Sequence, residues 1–431
     1  MSLIRLGDVC CKIGSGATPR GGSDVYRDHG VALIRSQNVH NGGFKEDGLA
    51  FIGPEHAREL DGVTVQPGDV LLNITGDSVA RVCEAPRFVH EARVNQHVAI
   101  IRPDPNRVDA RFLRYVLVSP RMQAHMLALA SAGATRNALT KGMIEDFRVD
   151  APPIAEQLAI ASILGALDDK IELNRRMNET LEGITRALFK SWFVDFDPVR
   201  AKAAGRQPVG MDAETARLFP ERVVESEIGE VPFGWTSCGL DEIATFLNGL
   251  ALQKFPASAG ELSLPVIKIA ELRSGVTSKT DRANTAVPDQ FVVQDGDVLF
   301  SWSGSLEIVI WSNGRGALNQ HLFKVTSATH PIWFVHSWIE HHLPEFRAIA
   351  ADKATTMGHI QRRHLTKAQA VVPSKEVLKR ADAIIQPHWR RRVLNSVQMR
   401  TLASLRDALL PKLLSGELRV RDAERAVEGV R

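Results

Sequence analysis

The sequence predicts an α+β protein, in which two mixed α/β domains are joined by two long antiparallel helices that form an intramolecular coiled coil. Two observations lead to this fold class. Motifs of the first half of the 431-residue chain recur in the second half, and each half ends in apolar residues with the 4-3 spacing of a coiled coil. Two equivalent units in one chain can bury equivalent helix faces about a pseudo-twofold axis, as the subunits of a symmetric dimer do.

The internal repeat is clearest in two short motifs. Gly68-Asp69-Val70-Leu71 matches Gly296-Asp297-Val298-Leu299, and Asn95-Gln96-His97 matches Asn319-Gln320-His321. The separation between matching residues decreases from 233 at the start of the repeat to 221 at its end. Small deletions in the loops of the second copy explain this decrease, because surface loops tolerate changes of length. The repeat therefore predicts two copies of one domain-plus-helix unit.

The first part of each copy has the pattern of a sheet. In residues 1–150 the short apolar runs VALIR, DVLLNI and HVAIIRP are separated by Gly, Pro and Asn, which is typical of strands and hairpins. We expect one helical stretch within this pattern, near residues 109–130.

The second part of each copy has the pattern of one long helix. From Pro152 onward, apolar residues recur with 4-3 spacing for about 40 residues. A helix of that length extends about 60 Å, and its apolar stripe must pair, most simply with the second long helix. Three polar residues stand at seam positions, where they are expected to fix the coiled-coil register: Asn174, Asn178 and Asn395.

The repeat and the seams together give the predicted domain boundaries. These are a first domain over 1–151, a long central helix over 152–197, a linker over 198–235, a second domain over 236–373, a long C-terminal helix over 374–415 and a tail over 416–431.

The net charge of +3, from 53 basic and 50 acidic residues, conceals one basic segment. Residues 374–413 carry 9 basic and 3 acidic residues, including Arg390, Arg391 and Arg392. This segment is compatible with a polyanionic partner. It is equally compatible with arginines that pair with acidic residues of a partner helix, and charge alone leaves both interpretations open.

Catalytic and metal-binding signatures are missing from the sequence. No glycine precedes a lysine, so the chain has no P-loop. Asp168 and Lys170 resemble half of a nuclease site but have no suitable second acid, and we expect them on a solvated helix face. Three nearby histidines, His336, His341 and His342, lack the cysteine or carboxylate spacing of a metal site. The sequence therefore predicts neither catalytic residues nor a metal site.

Five segments spread along the chain are distinctive. They are SGATRNALTKGMIEDFRVDAPPIAEQLAIASILGALDDKIELN, SWFVDFDPVRAKAAGR, GEVPFGW, KATTMGHIQRRHL and KLLSGEL. With these segments, the chain resembles the specificity subunits of type I restriction-modification systems over nearly its whole length.

The resemblance implies a function and a set of partners. Each of two target recognition domains would read one half of a bipartite site in double-stranded DNA, and the long helices would set the spacer between the halves. Two methyltransferase subunits would bind S-adenosylmethionine, and motor-nuclease subunits would use ATP and magnesium. The resemblance implies no cofactor and no catalysis for this chain itself.

Residues that are identical in the two domains cannot explain different half-sites, so we assign them to the scaffold. Polar residues of divergent loops are the expected base contacts, because Arg, Lys, Asn and Gln distinguish base edges in the major groove. In the first domain these are Arg20, Arg35, Asn38, Lys45, Arg81 and Arg136. In the second domain they are Lys254, Lys268, Arg273, Lys279, Arg315 and Arg362.

Other functions and the location were also considered. A modification-only methyltransferase specificity subunit, a structural adaptor without base readout and an unusual nuclease are the alternatives. No apolar run approaches the roughly 18 residues of a membrane span, and the N-terminus MSLIRLGDVCCKIG has no secretory pattern. We therefore expect a cytoplasmic protein without membrane contact.

Overall fold

The computed structural model describes residues 2–89, 91–132, 137–258, 260–352 and 358–428. The chain forms two compact units, Met1–Lys170 with Leu402–Arg431, and Ile171–Thr401. Both units mix helices and strands, and two helices, Ile154–Phe189 and Lys375–Ser415, are far longer than the rest. These are called the first and second long helix below. The predicted α+β class with two long helices is confirmed.

The first unit contains a four-stranded antiparallel sheet. Strand Val98–Pro103 pairs with Cys10–Ser15 on one side and with Val70–Asn73 on the other, and Val70–Asn73 also pairs with Val82–Glu84. The apolar runs DVLLNI and HVAIIRP thus form neighbouring strands, as their patterns predict. The residues of Val70–Asn73 are all buried, so both faces of this strand are covered.

The first unit also contains a three-stranded sheet. Strand Val31–Ile34 pairs antiparallel with Ala50–Ile52 and parallel with Arg93–Val94. The remaining strands of this unit are Ser2–Arg5 with Arg148–Ala151, and Val39–His40 with Gly43–Phe44.

Helices of the first unit follow the capping signals of the sequence. Asp109 accepts a hydrogen bond from the backbone N–H of Phe112 at 2.8 Å and starts the helix Ala110–Val118. Ser119 then ends that helix and caps the next one, Pro120–Ser131, whose first residue is a proline. Two helices therefore occupy the predicted helical region. The other helices are Leu6–Val9, Pro54–Glu59, Lys141–Glu145 and Val420–Glu428.

The second unit repeats the sheet orders of the first. Strand Leu322–Thr326 pairs with Thr245–Asn248 and with Val298–Ser301, which pairs with Ile308–Ile310. A second sheet has the strand order Arg282–Asn284, Ser263–Ile267, Gly316–Leu318 and Val292–Val293. Its first three strands have the same order and directions as the three-stranded sheet of the first unit. The predicted duplication is thus present in the topology.

The second unit has further strands and helices outside these two sheets. The strands are Val223–Ser226 with Gly229–Pro232, and Thr236–Gly239 with Gln369–Val372. The helices are Asp197–Ala203, Ala213–Leu218, Leu240–Ile243, Ile269–Ser274, Ile332–Ala351 and Arg362–Lys367.

In the second unit the two long helices pack against each other in opposite directions. Asn174 Nδ2 donates to Gln398 Oε1 at 2.9 Å, and Glu182 forms a salt bridge with Arg392 at 2.7 Å. Residue numbers increase from Asn174 to Glu182 along the first long helix, while those of their partners decrease from Gln398 to Arg392 along the second. The pairing is therefore antiparallel. Arg392 thus pairs with an acidic residue of a partner helix, whereas Arg390 and Arg391 are exposed.

In the second unit, the first long helix ends at a group of buried aromatic side chains. After Phe189 the chain makes one π-helical turn, Lys190–Val194, and Phe196 then adopts a left-handed backbone with φ 56°. Burial of the Phe196 side chain, which contacts Trp235 edge-on at 5.9 Å, stabilises this strained position. The core therefore fixes the direction in which the chain enters the linker.

Candidate nucleic-acid interface

The repeated Gly-Asp-Val motif holds the four-stranded sheet together in each unit. The fully buried carboxylate of Asp69 accepts two hydrogen bonds from the Arg102 guanidinium, at 2.7 and 2.8 Å. At the matching place, Asp297 forms a salt bridge with Lys324 at 2.7 Å. Each aspartate also accepts a bond from the backbone N–H three residues earlier. The motif is structural in both units.

The repeated Asn-Gln-His triplet connects a neighbouring loop in each unit. His97 Nδ1 lies 2.6 Å from Thr75 Oγ1, and His321 Nδ1 lies 3.0 Å from Ser303 Oγ. In both triplets the asparagine side chain accepts the backbone N–H of the histidine. These contacts give both motifs a structural role, and the prediction that the shared residues do not read bases stays a prediction.

Three of the predicted base contacts of the first domain belong to one loop, between residues 35 and 48. Arg35 donates to the Gly48 carbonyl at 2.6 Å, and its guanidinium lies 5.2 Å from the centre of the Tyr26 ring. Lys45 is exposed. Asn38 is fully buried, accepts the backbone N–H of Arg35 at 3.0 Å and donates to the Lys45 carbonyl at 2.9 Å.

This burial corrects one prediction. The amide of Asn38 uses its donors and its acceptor within the loop and has no exposed face for a base edge. We therefore assign Asn38 to the loop scaffold, where it holds Arg35 and Lys45 in place.

Arg81 lies beside the same loop. Burial is the largest influence on His40 and lowers its pKa, and the positive charges of Lys45 and Arg81 lower it further, against a hydrogen bond to a backbone carbonyl that raises it. Lys45 and Arg81 thus act on one histidine. Arg20 stands 3.9 Å from Glu59 with its side chain 90% exposed. Arg136 lies outside the described residues.

Two predicted contacts of the second domain are already paired with acids. Lys268 forms a salt bridge with Asp281, and Arg273 forms one with Glu307 at 2.8 Å. Both arginine and lysine side chains remain about half exposed. Exposed ion pairs of this kind are weak, so these cations are still available to another anion.

Four further cations of the second domain are exposed: Lys254, Lys279, Arg315 and Arg362. Within the described ranges, none of the four forms a salt bridge. Arg362 is held in place by two contacts. It donates to the Phe246 carbonyl at 3.4 Å, and its guanidinium lies 6.0 Å from the centre of the Phe323 ring.

The three predicted register residues lie together in the helix interface of the second unit. Asn395 Nδ2 donates to Asn178 Oδ1 at 2.9 Å, and Asn178 Nδ2 donates to Ser396 Oγ at 3.0 Å. Asn174 and Asn395 are almost fully buried. Their side-chain oxygens find no partner in the described part of the chain. The role of these residues in register stays a prediction.

Asp168 departs from the predicted solvated helix face. In the first unit its carboxylate accepts hydrogen bonds from Arg114 and from the Tyr115 hydroxyl, both at 2.6 Å, and from Arg406 at 2.7 Å. Burial acts to raise the pKa of Asp168, but the two arginines and the tyrosine outweigh it, and the pKa is lowered. Asp168 therefore joins a helix of the first domain to both long helices.

Two observations bear on other classes of function. In the described ranges, no three His, Cys, Asp or Glu residues are grouped so that they could hold a metal ion. Among the same residues, no helix combines the length and the apolar character that crossing a membrane requires.

Comparison with known proteins gives a consistent result. Residues 2–183 match the sequence profile of the type I restriction modification DNA specificity domain. The chain is 26% identical over 400 residues to the type I restriction enzyme HindI specificity subunit of Haemophilus influenzae, covering 82% of this chain and 87% of that protein. It is 25% identical over 324 residues to the MjaIX specificity subunit of Methanocaldococcus jannaschii, covering 72% and 69%.

A solved structure shares the fold. The type I restriction-modification S subunit from M. genitalium superposes with a TM-score of 0.56 over 96% of this chain and 95% of that chain, at 14% sequence identity. The duplicated sheets, the two long helices and these matches agree, and the chain is similar over most of its length to the specificity subunits of type I restriction-modification systems.

Proposed function

We propose that this chain gives a type I restriction-modification complex its DNA sequence specificity, with each domain reading one half of a bipartite target. The observation that carries the proposal is a common scaffold with different loops. Both domains share the strand order of the four-stranded sheet and equivalent Asp and His contacts, whereas the cations around them differ in type, position and pairing.

The loop cations support two different readouts. The first domain groups Arg35, Lys45 and Arg81 around one loop, and the second presents Arg362 beside the Phe323 ring. Base edges in the major groove are distinguished by such side chains, at about 1–3 kcal/mol for each good contact. Two unlike sets of donors on equivalent scaffolds would therefore select two unlike half-sites.

We assign the spacer to the paired long helices. Their antiparallel contacts, such as Glu182 with Arg392, and the buried polar residues Asn174, Asn178 and Asn395 would keep the helices in one register. A fixed register gives a fixed length, which is what a defined spacer between half-sites requires.

We assign methylation and cleavage to partner subunits. Two methyltransferase subunits would supply the S-adenosylmethionine site, and motor-nuclease subunits would supply the ATP and magnesium sites. The chain itself would be non-catalytic and cytoplasmic.

A domain exchange tests the central claim. Residues 1–151 are replaced by the equivalent domain of a relative with another target, the chain is expressed with its methyltransferase subunits, and methylated sites are mapped across a genome. We expect one half of the target to change and the other half to stay. A change in both halves contradicts modular reading, and loss of all sequence preference in an assembled complex favours the structural adaptor.

A length change tests the spacer. Seven residues, one coiled-coil repeat, are inserted after Leu181 in the first long helix and after Val393 in the second. Seven residues add about 10 Å, which corresponds to about three base pairs at 3.4 Å each. We expect both half-sites to persist with a spacer about three base pairs longer, and an unchanged spacer would contradict the role of the helices.

A further inference from the structure

One aromatic residue distinguishes the two domains at a position where their scaffolds coincide. The backbone N–H of Trp302 donates to the His321 carbonyl at 3.3 Å, and the backbone N–H of Ile360 donates to the Trp302 carbonyl at 2.9 Å. In the first domain, Ile74 makes the same two backbone bonds, with His97 and Leu139. Trp302 and Ile74 are thus equivalent in the two domains, although their side chains differ.

The indole of Trp302 is held rigidly. Its Nε1 donates to Asn248 Oδ1 at 2.9 Å and to the Gln320 carbonyl at 3.1 Å. Its ring lies 5.8 Å from the His321 ring and 6.2 Å from the Phe323 ring, between centroids. The side chain is nevertheless only half-buried. A fixed, partly exposed indole is a large contact surface that loses little conformational entropy on binding.

The first domain has no such surface at this place. Ile74 is 8% exposed. The strand pair that carries Asn248 opposite Phe323 in the second domain has Ser15 opposite Ala99 in the first. Trp302, Asn248 and Phe323 are therefore specific to the second domain, as expected for residues that select a half-site.

Arg362 supplies polar donors next to this surface. A cleft of about 400 Å³ is lined by Asn248, Phe246 and Arg362, among others, and Asn248 is the residue that fixes the Trp302 indole. The matching residue of the first domain, Lys141, forms a salt bridge with Glu145 at 3.5 Å. Arg362 forms no salt bridge within the described ranges, so its guanidinium can serve a ligand.

We propose that Trp302 and Arg362 together determine the specificity of the second domain, with the indole contacting a thymine methyl group and the guanidinium donating to a neighbouring guanine. This inference rests on the proposed function. The indole N–H already donates to Asn248 and Gln320, so the ring has no free donor for a phosphate oxygen, but its apolar face matches the methyl group that only thymine presents in the major groove. Arginine donates two parallel hydrogen bonds to guanine O6 and N7 more readily than to any other base edge.

The test replaces Trp302 by the residue of the first domain. Trp302→Ile is expressed with the methyltransferase subunits, and methylated sites are mapped. We expect one position in one half-site to accept other bases, with a loss of discrimination of about fourfold for one methyl contact. The other half-site and the spacer should stay unchanged. Trp302→Phe should keep most of the discrimination, because the aromatic face remains.

Arg362→Gln is the second variant, and it should lose about 5- to 150-fold discrimination for guanine at an adjacent position of the same half-site. Phe233→Ile is the control, because Phe233 is also an exposed aromatic residue, 52% exposed, but lies outside the recognition domains. It should leave both half-sites intact, and thermal unfolding of all variants reports whether they fold.

The outcomes separate this inference from the proposed function. A bipartite target whose two halves both persist in folded Trp302→Ile and Arg362→Gln complexes overturns the inference and leaves the proposed function standing. Relaxation of both halves together also overturns it, because the effect is then one of assembly. Absence of any bipartite target in the unmodified complex overturns the proposed function itself.

Discussion

Asp168 and Arg406 form a salt bridge of 2.7 Å in the first unit, although 238 residues separate them in the sequence. The same carboxylate also binds Arg114 and the Tyr115 hydroxyl. Both arginines are largely buried, and Asp168 compensates their positive charge there. A single carboxylate therefore connects the first domain with the two helices that support it.

We expect Asp168→Asn to destabilise the first unit by about 3 kcal/mol, because the buried Arg114 would lose its counter-charge and Arg406 would keep only the exposed Asp407. Urea unfolding of the chain measures the loss. Asp169→Asn is the matched control. Asp169 pairs with Arg111 and its side chain is 67% exposed, so its replacement should change the free energy of unfolding by less than about 1 kcal/mol. Equal effects of the two variants would contradict the buried role of Asp168.

The buried amides of the helix interface lead to a different expectation. In Asn395→Leu, the side-chain amide that donates to Asn178 Oδ1 is lost. We expect the free energy of unfolding to fall by about 1–3 kcal/mol, because this oxygen is then left without its donor in the helix interface. The double variant Asn178→Leu with Asn395→Leu should recover most of this loss. A double-mutant cycle in urea gives the coupling, which should be about 0.5–3 kcal/mol.

Register is the property that the double variant should lose. If Asn178 and Asn395 fix the register, genome-wide methylation with the double variant should show more than one spacer length between unchanged half-sites. One spacer, identical to that of the unmodified complex, would assign the register to other contacts.

The sequence predicted what depends on spacing along the chain. The repeat, the strands around Val70 and Val98, and the seam through Asn174 and Asn395 can all be recognised from the order of residues in short segments, and the structure contains them. It did not predict the surroundings of Asp168, because its partners Arg114 and Arg406 lie 54 and 238 residues away. Asn38 was misassigned for a related reason, since its burial depends on how its own loop closes over it.

The two copies of the Gly-Asp-Val motif form ion pairs of different strength, a difference that the sequence does not reveal. Asp69 is fully buried and accepts hydrogen bonds from two nitrogens of Arg102, Nε and Nη2, whereas Asp297 is 23% exposed and pairs with the single nitrogen of Lys324. We expect Asp69→Asn to destabilise the chain by about 3 kcal/mol, within the range for breaking a buried ion pair, and Asp297→Asn by roughly half as much. Urea unfolding checks the order. A larger loss for Asp297→Asn would contradict this comparison.

A buried histidine predicts the pH dependence of the second unit. His336 lies against Trp389, with ring centroids 5.1 Å apart, and shares a cavity lining with Glu182, Glu340 and Arg392. Burial lowers the pKa of His336 to about 3, and the positive charge of Arg392 contributes in the same direction. In the unfolded chain the ordinary pKa of histidine is about 6.5.

The sign follows from these two pKa values. Between about pH 6.5 and pH 3 the unfolded chain binds a proton at position 336 that the folded chain does not bind, so acid favours unfolding. We expect His336 to reduce the free energy of unfolding by about 1.4 kcal/mol for each pH unit below 6. Urea unfolding at several pH values should show this slope in the native chain and a shallower slope in His336→Gln. The same slope in both proteins would place the acid sensitivity on other groups.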